Sequence, residues 1–376
     1  MELQYQGKQS LDAIQAKIFA SQQEAAPIHT ENQQGLLLQG DNFSIMSRLL
    51  ANYANRVDLV YIDPPFNTKG SFRFGAQRTA TISHSKTDML AYEDALPLAE
   101  YLEFIRERLV LIHRLLSPQG TLYFHIDIKT GHYIKLLLDE IFGMENFLND
   151  ITRIKSNPKN FARKAYGNQK DVIYVYAKQN PRQIFNHIRM PLGQEEIKKH
   201  FPKTDQQDRA YTTVPCHAPG ETQNGPTGQP WRGLQPPPGR HWRCNPAELE
   251  KLDQAGLIEW SKNGNPRIIK FTADHQGKKI QDVWSNFKDP QYPSYPTEKN
   301  QEMLDLIVKQ SSLPGSIVMD CFCGSGTFLK AGRQNQRFVI GIDQSPVAIA
   351  VASKRPELSG LAKIQIDAGQ EEIPSK

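Results

Sequence analysis

Cysteine is scarce, with four in 376 residues. That is too few for a disulfide scaffold, so a reducing compartment is the expectation. No run approaches the roughly 18 consecutive apolar residues of a membrane-spanning helix. The opening Met-Glu-Leu-Gln-Tyr-Gln lacks the basic and apolar regions of a signal peptide. A soluble, cytoplasmic protein with no membrane partner is therefore expected. Hydrophobic residues at 39% and charged residues at 23% exclude a fully disordered chain. Net charge is also small, at +5 from 45 Lys+Arg and 40 Asp+Glu, and by itself names no partner.

Strand-like and helix-like patterns alternate over the first 150 residues. Residues 1–35 read as a polar, helical extension with Leu11, Ile14, Ile18 and Phe19 at helical spacing. Leu36 to Leu38, Val57 to Ile62 and Gly120 to Ile126 read as buried strands, and residues 99–116 and 133–141 as helices between and after them. Such alternation implies a parallel α/β sheet covered on both faces. The rhythm stops near residue 151 and returns near 291. The intervening 151–290 is rich in turn formers, holds all four Trp, and carries 23 Lys+Arg against 13 Asp+Glu. The rest of the chain has 22 against 27. The expected plan is one α/β domain in two parts, 36–150 and 291–376, interrupted by a basic module.

Two turns carry chemistry. Asp320-Cys-Phe322-Cys-Gly324-Ser325-Gly326-Thr327 follows one strand and opens a helix, where glycines admit a ligand close to backbone N–H groups. Asp343 ends the next strand, a position suited to ribose hydroxyls. The turn has neither the Gly-x-Gly-x-x-Gly spacing of dinucleotide sites nor the Gly-Lys-Ser/Thr of phosphate loops, which counts against an oxidoreductase. An adenosine ligand without a phosphate chain suits it better; an ordinary strand–helix connection is the bland alternative. The second turn is Asp63-Pro64-Pro65-Phe66 after Val57 to Ile62. Its two prolines stop the strand and fix the backbone, aiming the Asp63 carboxylate and nearby carbonyls outward. Such acceptors can take both protons of a planar amine and localise its lone pair, while Phe66 stacks on the ring. Alone, this segment would also fit a rigid turn capped by Asp.

Together the two turns resemble the amino-group DNA methyltransferases. With the tetrapeptide ahead of the glycine turn and a large insertion between them, the order is similar to the circularly permuted beta subgroup. That subgroup holds many adenine-N6 enzymes and the modification subunits of type III restriction systems. The resemblance covers residues of about 36–150 and 290–356. It implies a Rossmann-like S-adenosyl-L-methionine-dependent fold, with 151–290 as a target-recognition domain. It further implies that Asp63 and Pro64, held by Pro65, receive the target amine and that Phe66 stacks on a flipped base. Asp320, Phe322, Gly324, Ser325, Gly326 and Thr327 would line the cofactor, Asp343 its ribose, Asp41 its adenine and Lys299 its carboxylate. Two departures stand out: Phe66 replaces the commoner Tyr, and Asn300 stands where many members have Pro. The resemblance leaves both a homodimer and a partner restriction endonuclease open.

The implied reaction is site-specific methylation of adenine N6 in double-stranded DNA, by direct displacement with no metal and no covalent intermediate. Cytosine-N4 methylation is the rival, and Asp at position 63 tilts the resemblance toward adenine. A catalytically silent DNA-binding module is a further alternative, opposed by the intact Asp63, Gly324, Gly326 and Asp343. Lys155, Lys159, Arg163, Lys164 and Lys170, interleaved with Phe161 and Tyr166, form the candidate phosphate-binding cluster. Cys216-His217 and His241-x-x-Cys244 have poor spacing for zinc, so no metal site is expected. Cys321 and Cys323 are expected to be packing residues, and His125 and Asp127 to lie at or behind the active edge of the sheet.

Overall fold

Leucine at positions 36, 37 and 38 leaves no polar side to a strand, and the sheet around it is covered on both faces. The computed structural model describes residues 2–24, 26–31, 34–65, 70–74, 89–94, 96–155, 164, 166–222, 224–290 and 298–366. It divides into two units, residues 1–188 with 281–376, and residues 189–280.

The larger unit is built on a nine-stranded sheet. Its strands run in the order Val283–Trp284, Phe147–Ile154, Lys170–Ala177, Leu116–Ile126, Val57–Ile62, Ile317–Asp320, Phe338–Asp343, Gly35–Gln39 and Ala362–Gln365. From Leu116–Ile126 onward every neighbour is parallel. Those strands read as continuous apolar runs because helices cover both of their faces. Lys170–Ala177 is antiparallel to both of its neighbours, so the sheet is mixed. The two segments of the α/β pattern interleave: Ile317–Asp320 and Phe338–Asp343 lie between Val57–Ile62 and Gly35–Gln39.

Polar side chains set the helix starts. Asp41 accepts from the Ser44 N–H at 2.9 Å and begins Asn42–Tyr53; Asp127 accepts from the Lys129 N–H at 2.9 Å and begins Ile128–Phe142. Asn300 accepts from the Met303 N–H at 2.9 Å and begins Gln301–Ser311. That cap accounts physically for the Asn in place of Pro.

The structure narrows the expected insertion. A boundary at 151 would fall inside Phe147–Ile154, and this strand and Lys170–Ala177 belong to the main sheet. The separate unit is 189–280. The charge is redistributed accordingly, with 8 Lys+Arg against 1 Asp+Glu in 151–188 and 14 against 10 in 189–280. Most of the basic excess therefore belongs to the larger unit. Within 189–280, Ile258–Trp260, Pro266–Phe271, Ala210–Pro215 and Lys203–Thr204 form an antiparallel sheet. Trp231, Trp242, Cys216, Leu249, Ile258 and Ile268 make its core, with Trp231 stacked on Trp260 at 5.4 Å.

The N-terminal extension is likewise part of the larger unit. Ile14 and Ile18 of helix Leu11–Glu24 are fully buried in the same core as Leu36 and Leu38. Leu11 and Phe19 are 57% and 61% exposed, so the buried stripe is narrower than the four apolar positions imply. Ile18→Ala should cost about 2–4 kcal/mol of stability, read as a lower urea midpoint at unchanged slope. An unaltered midpoint would show that this helix lies outside the cooperative core.

Candidate active site

Three parallel neighbours, Val57–Ile62, Ile317–Asp320 and Phe338–Asp343, end at the same edge of the sheet. Their C-terminal ends deliver Asp63, Asp320 and Asp343 into one cleft of about 970 Å³, counted to its open mouth. Ligands of open α/β sheets bind at this edge.

Asp63 follows its strand directly, and Pro64-Pro65 stop the strand there. Its Oδ2 accepts from Lys299 Nζ. Its Oδ1 is buried and accepts no hydrogen bond among the described residues. A buried carboxylate oxygen without a donor is costly. Pro65 also lines the cleft. Phe66 lies outside the described residues.

The glycine turn closes the opposite wall. Gly324 and Gly326 hold φ of +49° and +76°, the left-handed region that favours glycine. Asp343 fixes the turn by accepting from the Gly324 N–H and the Ser345 N–H, each at 2.8 Å. Asp320 accepts from the Phe322 N–H at 2.9 Å. Burial pushes the Asp320 carboxyl well above the ordinary range; the Phe322 N–H opposes this, and the carboxylates of Asp63 and Asp343 add to it. Burial also raises Asp343, against the two backbone N–H groups. An edge that starves carboxylates of water in this way favours a cationic guest.

Phe322, Ser325 and Thr327 line the cleft as expected, together with Gly324, Asp320, Asp343 and Lys299. Asp41 does not. It caps its helix and receives Arg108 Nη2 at 3.0 Å, while its neighbour Asn42 lines the wall, donating to the Cys321 carbonyl at 2.8 Å. Gly326 sits behind the turn, against Leu358 and Ala352. Lys299 bonds Asp63, an ion pair its motif context did not disclose. Cys321 and Cys323 are buried along the cleft wall, and burial raises both thiols well above the usual range.

Sequence reasoning missed two groups. Arg355 Nη2 bonds Glu298 at 2.6 Å, and its Nε donates to the Ser325 carbonyl at 2.6 Å, clamping the glycine turn. Phe104 forms part of the apolar wall and carries the Arg108 guanidinium 3.6 Å from its ring centre. Nothing in the local pattern around either residue marks it; both reach the turn through tertiary contacts.

Of the basic cluster, Lys159 and Arg163 lie outside the described residues. Lys164 and Lys170 are exposed. Lys155 is turned inward, 3.1 Å from Asp127 Oδ2 and 4.0 Å from Asp171 Oδ2. His125 is fully buried beside Asp63, with Nδ1 at 2.9 Å from the Tyr61 hydroxyl.

Residues 57–354 match the family model for N6/N4 DNA methylases. The type II methyltransferase M.EcaI of Enterobacter cloacae is 41% identical over 320 residues, covering 84% of this chain and 68% of that protein. The StyLTI Mod subunit of a type III restriction-modification enzyme, from Salmonella typhimurium, is 25% identical over 363 residues. That alignment covers 86% of this chain, which spans about half of that relative's length, 55%. Among solved structures, a DNA modification methylase of Thermus thermophilus complexed with S-adenosyl-L-methionine has a TM-score of 0.46 at 16% identity. The match covers 90% of this chain and 100% of that one.

Gly326→Ala tests the turn geometry. Its new Cβ would stand 2.8 Å from Leu358 Cδ1 at a φ of +76°. A loss of about 1–3 kcal/mol is expected from the backbone strain, seen as a lower melting temperature; an unchanged melting temperature would contradict the left-handed assignment.

Proposed function

Because the chain belongs to the N6/N4 DNA methylase family, whose methyl donor is S-adenosyl-L-methionine, we propose that it methylates adenine N6 in duplex DNA. The setting is restriction-modification, in keeping with its relatives. The observation that carries this reading is the buried Asp63 Oδ1, without a donor among the described residues, on a residue that lines the same cleft as Asp320 and Asp343.

The residues present fit the donor. Gly324 and Ser325 offer close backbone approach, and the water-poor carboxyls of Asp320 and Asp343 match its ammonium and ribose ends. Asn42 replaces Asp41 as the wall residue facing the adenine end, and Phe104 and Phe322 supply apolar surface there. When bound, the donor supplies an electrophilic methyl on a sulfonium, open to displacement by an amine.

Asp63 Oδ1 accepts one N–H of the target amine, and the Pro64 carbonyl accepts the other. Both pull the lone pair out of the ring and toward the methyl. Asp63 then takes the proton that the methylated amine sheds. Lys299 donates to Asp63 Oδ2 and keeps that oxygen engaged, leaving Oδ1 as the acceptor. Much of the rate comes from holding amine and methyl in line. Cytosine N4 would meet the same acceptors; the Asp at position 63 favours adenine through the family resemblance.

Exposed Lys164 and Lys170 are the phosphate contacts of the larger unit, and residues 189–280 are the target-recognition unit. Incubation with labelled S-adenosyl-L-methionine and unmethylated genomic DNA should place the label in N6-methyladenine. Label in N4-methylcytosine would select the rival base. Asp63→Ala should abolish transfer while leaving donor affinity within about twofold, because the acceptor contacts only the amine. In titration calorimetry, Asp343→Ala should weaken donor binding at least tenfold, about 1.4 kcal/mol; unchanged affinity would refute its role.

A further inference from the structure

A row of polar side chains crosses four strands behind Asp63. His125 lies on Leu116–Ile126, two residues beyond Tyr123, which is the register partner of Tyr61. Across the antiparallel pair His125 faces Ile173, and Asp171 lies two residues from that partner, on the same face. Arg153 is in turn the register partner of Asp171. The distances follow the row: Tyr61 hydroxyl to His125 Nδ1 2.9 Å, His125 Nε2 to Asp171 Oδ2 3.1 Å, and Asp171 Oδ2 to Arg153 Nη1 3.4 Å. Arg153 also bonds Asp289 and donates to the Phe287 carbonyl at 3.0 Å. His125 and Arg153 are fully buried, and Asp171 nearly so.

Taking these groups out of water is expensive unless each is satisfied. A purely structural row would need no exit to the cleft. This one ends on Tyr61 and Asp63, both of which line it, with His125 Nδ1 3.7 Å from Asp63 Oδ1. That separation is too long for a hydrogen bond, so His125 does not engage the oxygen.

We infer that His125, held by Asp171, is a positioning residue for methyl transfer, fixing Tyr61 and through it the placement of Asp63 against the glycine-turn wall. The imidazole orientation follows from its neighbours. Burial works to raise the Asp171 carboxyl, but His125, Arg153 and Lys155 outweigh it and hold the group well below its usual range. Asp171 Oδ2 stands 3.1 Å from Nε2 without hydrogen-bond alignment; its charge favours the ring proton on that side and leaves Nδ1 to accept from Tyr61. Burial keeps the Tyr61 hydroxyl protonated, raising it well above its ordinary value, with Asp63 adding to the rise. The Tyr61 ring stacks on Phe328 at 5.4 Å, and Phe328 lies in helix Thr327–Gln334, which the glycine turn opens. One side chain thus touches both halves of the site, and its hydroxyl is the handle by which His125 holds it.

The inference rests on Asp63 as the acceptor of the amine, so Asp63→Ala is measured alongside. His125→Leu, Tyr61→Phe, Asp171→Asn and the Tyr61→Phe/His125→Leu double variant are assayed with genomic DNA and labelled S-adenosyl-L-methionine. Each single variant should lose about 10- to 100-fold in kcat, the scale of a misplaced reacting group, with KM for the donor within about twofold. The double variant should lose no more than the worse single one, since both break the same link. His125→Asn, which keeps an acceptor near Nδ1, should recover part of the kcat lost in His125→Leu. If His125→Leu does not fold, Tyr61→Phe decides, because it deletes a single oxygen. Wild-type kcat in Tyr61→Phe, or losses that add in the double variant, would overturn the inference while Asp63→Ala remains inactive. Normal methylation by Asp63→Ala would instead remove the reading of the site on which it rests.

Discussion

The parallel pairing of Val57–Ile62 with Ile317–Asp320 is the contact on which the site depends. It aligns Leu59 with Val318 and Val60 with Met319, so both strands stop at one level. Phe338–Asp343 extends the same register through Gly341 and Asp320. Asp343 lies two residues beyond the Gly341–Asp320 pair, and Asp63 two beyond Tyr61, so the three carboxyls share one cleft. A register slip of a single residue would send each of them to the other face of the sheet. The apolar side chains that forbid the slip, Val60, Met319 and Ile340, are fully buried in the core. Packing beneath the sheet therefore enforces chemistry at its edge.

That arrangement carries an electrostatic cost, and the structure offsets it unevenly. Asp63 has Lys299, and Asp171 has Arg153 with His125 beside it. Asp127 has Lys155, and Glu298 has Arg355. Of these carboxyls, Asp171 is held well below its usual range by His125, Arg153 and Lys155 against the effect of burial. The pairs also bind elements distant in sequence, so their removal would loosen geometry as well as charge.

The motifs were legible in the sequence because their chemistry is local. Asp63-Pro64-Pro65 joins an acceptor to a strand breaker, Asp320 to Thr327 joins an acceptor to two glycines, and both fold as those residues dictate. What remained illegible depends on pairing. The break in the α/β rhythm near residue 151 reads as a domain boundary, yet Lys170–Ala177 returns antiparallel beside Leu116–Ile126 and keeps that region in the sheet. A local pattern cannot tell a strand that re-enters a sheet from one that leaves it. Asp41 carries the acidic signature, but its carboxylate is engaged by a helix start and by Arg108, and the uncharged Asn42 reaches the wall. His125, Asp171 and Arg153 lie far apart in sequence on three different strands, and only the sheet brings them into line.

Set against these matched pairs, Asp320 and Asp343 are different. Among the described residues no side-chain cation bonds either of them; their partners are the backbone N–H groups of Phe322, Gly324 and Ser345. Backbone dipoles are fixed and partial, so they leave much of the burial cost in place, and both carboxyls stay raised. A site built this way gains most from a guest that brings positive charge of its own, and little from a neutral one of the same shape. S-adenosyl-L-methionine brings two cationic centres, and its demethylated product has lost the sulfonium. Under the proposed cofactor role, the same raised carboxyls would favour the donor over the spent donor.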